Sequence, residues 1–104
     1  MPHVQPVQVL SAVQEGTNMV VHFQQSLWRY SIVNLYVQGP TGSRASLYVG
    51  AIGQTFLRDS TPYGQDNTAT YPAGQIIVNP GTEVLVVWNK LGSALAAMTV
   101  TEDF

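Results

Sequence analysis

Apolar side chains recur at every second residue along nearly the whole chain, a period that β-strands satisfy and helices do not. Met19, Val21 and Phe23 alternate with Val20, His22 and Gln24; Ala45, Leu47 and Val49 share one face; Val84, Val86 and Trp88 alternate with Leu85 and Val87. Val dominates the apolar set, and β-branched and aromatic residues suit a pleated surface. Helical spacing is absent, except that Ala and Leu would permit a turn or two of helix over residues 91–98.

The punctuation between these runs divides the chain into short strands. Val7, Val9 and Val13 are set against Gln8 and Gln14, with Pro2 and Pro6 ahead of them. Proline cannot donate to a central ladder, so this segment reads as an edge strand preceded by an extended arm over residues 1–6. The longest candidate strand runs from Leu27 to Gln38. Val33, Leu35 and Val37 would face one way and Tyr30, Ile32 and Tyr36 the other, the pattern of a central or covered strand. Residues 53–74 mix Gly53, Pro62, Gly64, Pro72 and Gly74 with Asp, Asn, Gln and Thr, hold no lasting period, and read as the longest loop. After a short strand over 75–79, Asn79-Pro80-Gly81-Thr82 fits a type II turn. In the last strand Ala94, Ala96, Met98 and Val100 share one face opposite Leu95, Ala97 and Thr99, and the alanines imply close approach by another layer. Seven or eight such strands, with turn signals every 8–12 residues, predict one all-β domain over residues 1–104. Its class is a mostly antiparallel β-sandwich, for which jelly-roll and immunoglobulin-like topologies both fit.

Charge narrows the function. Only 10% of residues are charged, against about 25% in an ordinary globular protein. Four Lys+Arg against six Asp+Glu leave a net charge of -2, without the basic excess that nucleic-acid binding requires. No run approaches the roughly 18 apolar residues of a membrane span. The N-terminus lacks the basic start and apolar stretch of an export signal, so assembly in a cytoplasm is expected. With no Cys there is no disulfide, thiolate metal site or Cys nucleophile. A folded monomer of 11.3 kDa exposes about 5,700 Å². Ten charges spread over that area leave about 570 Å² for each. A neutral polar exterior resists association poorly, so either other subunits cover it, for example in a cyclic homo-oligomer such as a trimer, or the protein tolerates it; cover by subunits is the expectation.

No reactive constellation emerges. His3 lies in the arm and His22 on a strand, where an exposed or hydrogen-bonded imidazole is the ordinary reading. No Gly-x-Ser-x-Gly elbow or phosphate-cradling glycine motif occurs. Asp59, Asp66 and Asn67 could offer oxygen ligands, but their spacing fits no calcium loop. The expectation is therefore no enzyme activity, no cofactor and no metal. Trp28, Tyr30 and Tyr36 could line a sugar-binding face, although aromatics at period two more often pack a core or an interface. Phe56, Leu57 and Tyr63 are large apolar groups in a polar stretch. Buried they would anchor it; projecting outward, together with Arg58, Val4 of the arm and Val7 beside it, they would be contact anchors.

The ordered pieces Ser46-Leu47-Tyr48-Val49-Gly50, Leu57-Arg58-Asp59-Ser60-Thr61-Pro62-Tyr63-Gly64, Pro72-Ala73-Gly74-Gln75 and Val84-Leu85-Val86-Val87-Trp88 with a following Gly-Ser-Ala turn form a recognisable pattern. Over residues 27–101 it resembles small virion structural proteins of tailed bacteriophages, especially those of actinobacteria. Residues 1–26 do not share the pattern. The resemblance implies a β-sandwich subunit of the virion, assembled in the host bacterial cytoplasm. Such a subunit would be a capsid decoration (cement) protein bound to the major capsid protein, or else a minor tail or fibre-associated subunit. It supplies no catalytic residue. A carbohydrate-binding module using exposed aromatics is the rival from a different class.

Overall fold

The computed structural model of the chain describes residues 8–104. The arm over residues 1–6, with His3 and Val4, and Val7 beside it, lie outside the described residues. Ten strands follow: β1 (Gln8–Ser11), β2 (Val13–Glu15), β3 (Asn18–Phe23), β4 (Tyr30–Gln38), β5 (Ala45–Val49), β6 (Leu57–Thr61), β7 (Asp66–Thr70), β8 (Ile77–Val78), β9 (Val84–Trp88) and β10 (Leu95–Thr101). One turn of 3₁₀ helix, Gln54–Phe56, precedes β6.

The strands form two antiparallel sheets. In the first the order is β1-β10-β4-β7, with β8 also paired to β4; in the second it is β2-β3-β9-β5-β6. The pairings nest. β5 pairs with β6, β4 with β7 and β8, β3 with β9, and β1 with β10. A long hairpin of nested pairs rolled into two facing sheets is a jelly-roll, so strand order decides between the two sandwich topologies the sequence left open. Ten strands exceed the expected seven or eight because two elements are interrupted. β1 and β2 are one run that changes sheet at Ala12, whose N–H donates to the Ala94 carbonyl at 2.8 Å. β7 and β8 divide one edge of β4 between them.

The core lies between the sheets and is built from the alternating faces. Val21 and Phe23 of β3, Leu47 and Val49 of β5, Val86 and Trp88 of β9, and Ala96, Met98 and Val100 of β10 belong to one cluster. Trp88 is fully buried, and its indole N–H donates to the Gly64 carbonyl at 3.0 Å. Its close fit requires Gly39: a Cβ there would stand 2.5 Å from the indole Cδ1 and Nε1. Burial pushes the Tyr30 hydroxyl up to about 12. All five residues of β9 are buried, because Leu85 and Val87 pack with Val20 and Tyr48 in a small apolar patch on the outer side of the second sheet.

Three local expectations are corrected. Tyr30, Ile32, Leu35 and Val37 all join the core rather than splitting between two faces. The β4–β10 register slips between Thr99 and Val100, leaving Val33 as an extra residue and reversing the alternation there. In the first strand Val9 and Val13 are exposed, while Leu10 and Ala12 pack against the core. Residues 53–74 are not one long loop: they contain β6 and β7, with the 3₁₀ turn ahead of them. Each is an edge strand whose polar side chains conceal the period, and β6 also carries a bulge opposite Leu47 and Tyr48. The last strand forms as expected, over Leu95–Thr101, and the turn of helix that Ala and Leu would permit does not form. The Asn79–Thr82 turn follows its predicted form, with the Thr82 N–H donating to the Asn79 carbonyl at 3.1 Å and Gly81 at φ 77°.

Candidate functional site

The outward side of the first sheet is the most distinctive surface. Register places Val9, Ala97, Tyr36 and Thr68 in one row across four strands. Ser11, Leu95, Gln38 and Asp66 flank it on one side, and Thr99, Asn34 and Thr70 on the other. Their neighbours Leu10, Ala96 and Val37, and Met98 with Leu35, take the core side by alternation. Among the described residues Asp66 is the single charge in these rows, and its carboxylate holds the Tyr36 hydroxyl above the usual phenol range by hydrogen bonding. The face stays neutral because the charged residues sit elsewhere. Glu15 closes β2 and Asp66 opens β7, while Arg29, Arg44, Glu83, Lys90, Glu102 and Asp103 fall between or after strands. Within strands only Arg58 and Asp59 of β6 are flanked on both sides by strand residues.

Among the described residues, the contact anchors Phe56, Leu57, Arg58 and Tyr63 are spread along β6 and its two ends. Phe56 ends the 3₁₀ turn with its ring against Gly50, and Leu57 beside it is half-buried. Arg58 is exposed, with Nη1 3.4 Å from the carbonyls of Thr55 and Leu57. Tyr63 lies beyond the far end of β6 in the β6–β7 turn and is 67% exposed. The three aromatics of the supposed sugar face separate completely. Tyr30 is in the core, Tyr36 is on the first sheet's outer face, and Trp28 is in the β3–β4 connection, 42% exposed.

His22 lies on the exposed side of the second sheet between two carboxylates. Its Nε2 bonds Glu15, and its Nδ1 is 3.1 Å from Glu83 Oε1. Both ring nitrogens must donate to satisfy both partners, so the arrangement favours the imidazolium. The His22 pKa is raised, first by the hydrogen bond to Glu15, with a smaller contribution from Glu83 and burial opposing both. Among the described residues no group of three or more His, Asp and Glu is placed to hold a metal ion.

Asp59 and Asp66 diverge. Asp66 faces outward, whereas Asp59 pairs in register with buried Leu47 and turns into the gap between the sheets. There it accepts the Tyr71 hydroxyl at 2.6 Å and the Ser60 N–H at 2.8 Å. Since Asp59 belongs to the second sheet and Tyr71 follows β7 of the first, this bond ties the open edge of the sandwich. Burial, then the bond to Asp59, pushes the Tyr71 hydroxyl well above the usual range. The cavity behind the tie measures ≈ 20 Å³, room for about one water molecule and no larger ligand. Sequence reasoning missed this pair. The available signal was a lone carboxylate on an edge strand at a core-facing register, which depends on knowing the register. Among the described residues no helix is long and apolar enough to cross a membrane.

Comparison of the chain with protein families, with curated proteins and with solved structures finds no match.

Proposed function

We propose that this protein is a non-enzymatic structural subunit of a tailed-phage virion, a head decoration protein that stabilises the capsid through the major capsid protein and copies of itself. The observation that carries the reading is the outer face of the first sheet, four strands wide with one carboxylate at its border. An extended face of Val, Ala, Leu, Thr, Asn and Tyr loses little solvation when covered, because Asp66 stands at its border and the rows inside carry no charge to be stripped of water. The sequence resemblance over residues 27–101 supports the virion setting.

Decoration works by linkage. A subunit that binds the assembled shell and not its dissociated parts stabilises the shell by about 2.7 kcal/mol per site at a free concentration one hundred times Kd. Repetition over many equivalent sites then makes weak contacts cumulative. Mass spectrometry and electron microscopy of purified virions test the proposal. Hundreds of copies on the head are expected; a handful on the tail would move the protein to the tail-subunit alternative, and absence from particles would refute both.

A further inference from the structure

We propose that Glu15, His22 and Glu83 form a pH-operated cover over an apolar patch on the outer side of the second sheet, closed while the imidazole is charged and released at one end when it is neutral. Alternation puts Asn18, Val20 and His22 on the outward side of β3, since Val21 and Phe23 belong to the core. Glu15 is paired with Asn18, yet its carboxylate bonds Nε2 of His22, four residues further along β3. A side chain spanning that distance passes over Val20, the outward residue between them. On the other flank Leu85 stands opposite His22, and Glu83, two residues ahead of Leu85 in the chain, lies 3.1 Å from Nδ1. The three polar groups thus run from β2 across β3 to the start of β9, over Val20 and beside Leu85.

Burial agrees with this course. Val20 is 1% and Leu85 3% exposed although both face away from the core, and Val87, opposite Val20, is also buried. Val13 pairs with Val20 in the same row, and at the uncovered edge of the sheet it is 55% exposed. The methylenes of a glutamate supply apolar contact while its carboxylate keeps to the water, which is how long charged side chains cover apolar surface. Tyr48 of β5 packs against the patch from its other side.

The ring decides whether the cover holds. Imidazolium donates from both nitrogens and serves both carboxylates at once; the neutral ring has a single N–H and turns a lone pair toward the other partner. Neutralisation therefore frees Glu15 or Glu83, according to the tautomer kept, and uncovers Val20 or Leu85. Among the described residues, Glu15 of β2 and Glu83 ahead of β9 are the charged groups that face the ring. Tyr48 lies two strands away in the same row, and β1, which also contacts β3, carries no charge. The cations of this sheet are placed elsewhere: Arg44 donates to Ser60, Arg58 reaches the Thr55 and Leu57 carbonyls, and the Lys90 ammonium stands by Gly42. The hydrogen bond to Glu15, opposed by burial and aided by the bond to Glu83, holds the His22 pKa above its ordinary 6.5. The cover is therefore shut below about pH 6.5 and opens as pH climbs through the higher folded value. This inference stands apart from the virion reading and survives if that fails.

The test is nuclear magnetic resonance on the full chain with ¹³C-labelled valine and leucine methyls, titrated from about pH 5 to about pH 9 around the ordinary imidazole range, with a neutral gadolinium chelate as solvent probe. Relaxation enhancement at the methyls of Val20 or Leu85 should rise severalfold from their near-complete burial, with the same midpoint as the His22 ring protons. The Val9 methyls, exposed on the first sheet, should stay unchanged. Glu15→Ala should leave Val20 accessible at every pH, and His22→Gln should abolish the pH dependence. Glu15 and His22 are both exposed, so these variants should fold, with unchanged methyl signals of core Val86 as the check. Enhancement that stays flat at both Val20 and Leu85 while His22 titrates would overturn the proposal, as would a Glu15→Ala protein in which Val20 remains as shielded as in the parent.

Discussion

Replacing Gly39 with alanine tests the packing around Trp88 through the sign of the effect. Gly39 is not among the glycines with positive φ, so alanine can adopt its backbone conformation. On backbone grounds alone the change should stabilise the fold by about 0.4–1 kcal/mol, because it restricts the unfolded chain. Sterics predict the opposite. The added Cβ would lie 2.5 Å from two indole atoms and 2.9 Å from the Gly64 carbonyl oxygen, and the ring is fully buried with nowhere to retreat. Overpacking of this kind costs about 1–3 kcal/mol. Displacing the ring also stretches its bond to Gly64, and an orphaned buried carbonyl costs about 1–3 kcal/mol. The two effects overlap, so a net loss of about 3 kcal/mol is expected. With an unfolding entropy of about 2.1 cal/mol/K per residue over the 104 residues, that lowers Tm by roughly 14 °C. Denaturant melts would be run in a Trp28→Phe background, so that emission reports Trp88 alone and should shift to the red as the ring is displaced. Gly81→Ala is the control: nothing lies within 4 Å of its Cβ, so strain at φ 77° should cost about 1–2 kcal/mol without moving Trp88 emission. Unchanged or increased stability of Gly39→Ala would show that the indole does not need this space.

Ala97→Glu places a charge in the middle row of the neutral face. Sedimentation should change from an oligomer to a monomer while the unfolding midpoint moves by less than about 0.5 kcal/mol, as for a surface substitution; a monomeric parent protein would count against self-contact through this face. The raised pKa of His22 means its ion pairs stabilise the fold fully below about pH 6.5 and cease to do so as pH climbs through the higher folded value. With ring and carboxylates all partly exposed, the contribution stays below about 1 kcal/mol. Titration followed by the imidazole proton signals should show Glu15→Gln lowering the His22 pKa more than Glu83→Gln does, and the reverse order would contradict the assigned partners. Tyr71→Phe removes the tie between the sheets at their open edge and should cost about 1–2 kcal/mol in urea unfolding; a neutral outcome would mean that water replaces the hydroxyl at Asp59 without loss.

Individual residues show how far the sequence reached. The β3 and β9 alternations, the Asn79–Thr82 turn and the doubly buried character of Val84–Trp88 are all readable from it, since each depends on near neighbours in the chain. The phase of β4 is not, because the slip opposite Thr99 and Val100 is a property of two strands about 65 residues apart. Nor are β6 and β7, whose polar residues satisfy an edge position that sequence cannot distinguish from a loop.

Local chemistry thus determined the class of structure. Side-chain period, turn glycines and prolines, and the shortage of ionisable groups act within a few residues and are present before any folding is considered. Tertiary structure decided the jelly-roll order, the bulge that turned Tyr30 inward, the Asp59–Tyr71 tie and the gathering of neutral side chains on one face. The physical reason is that pairing register and sheet membership are collective: they follow from which distant strands bury the most apolar surface together, a quantity no short segment contains.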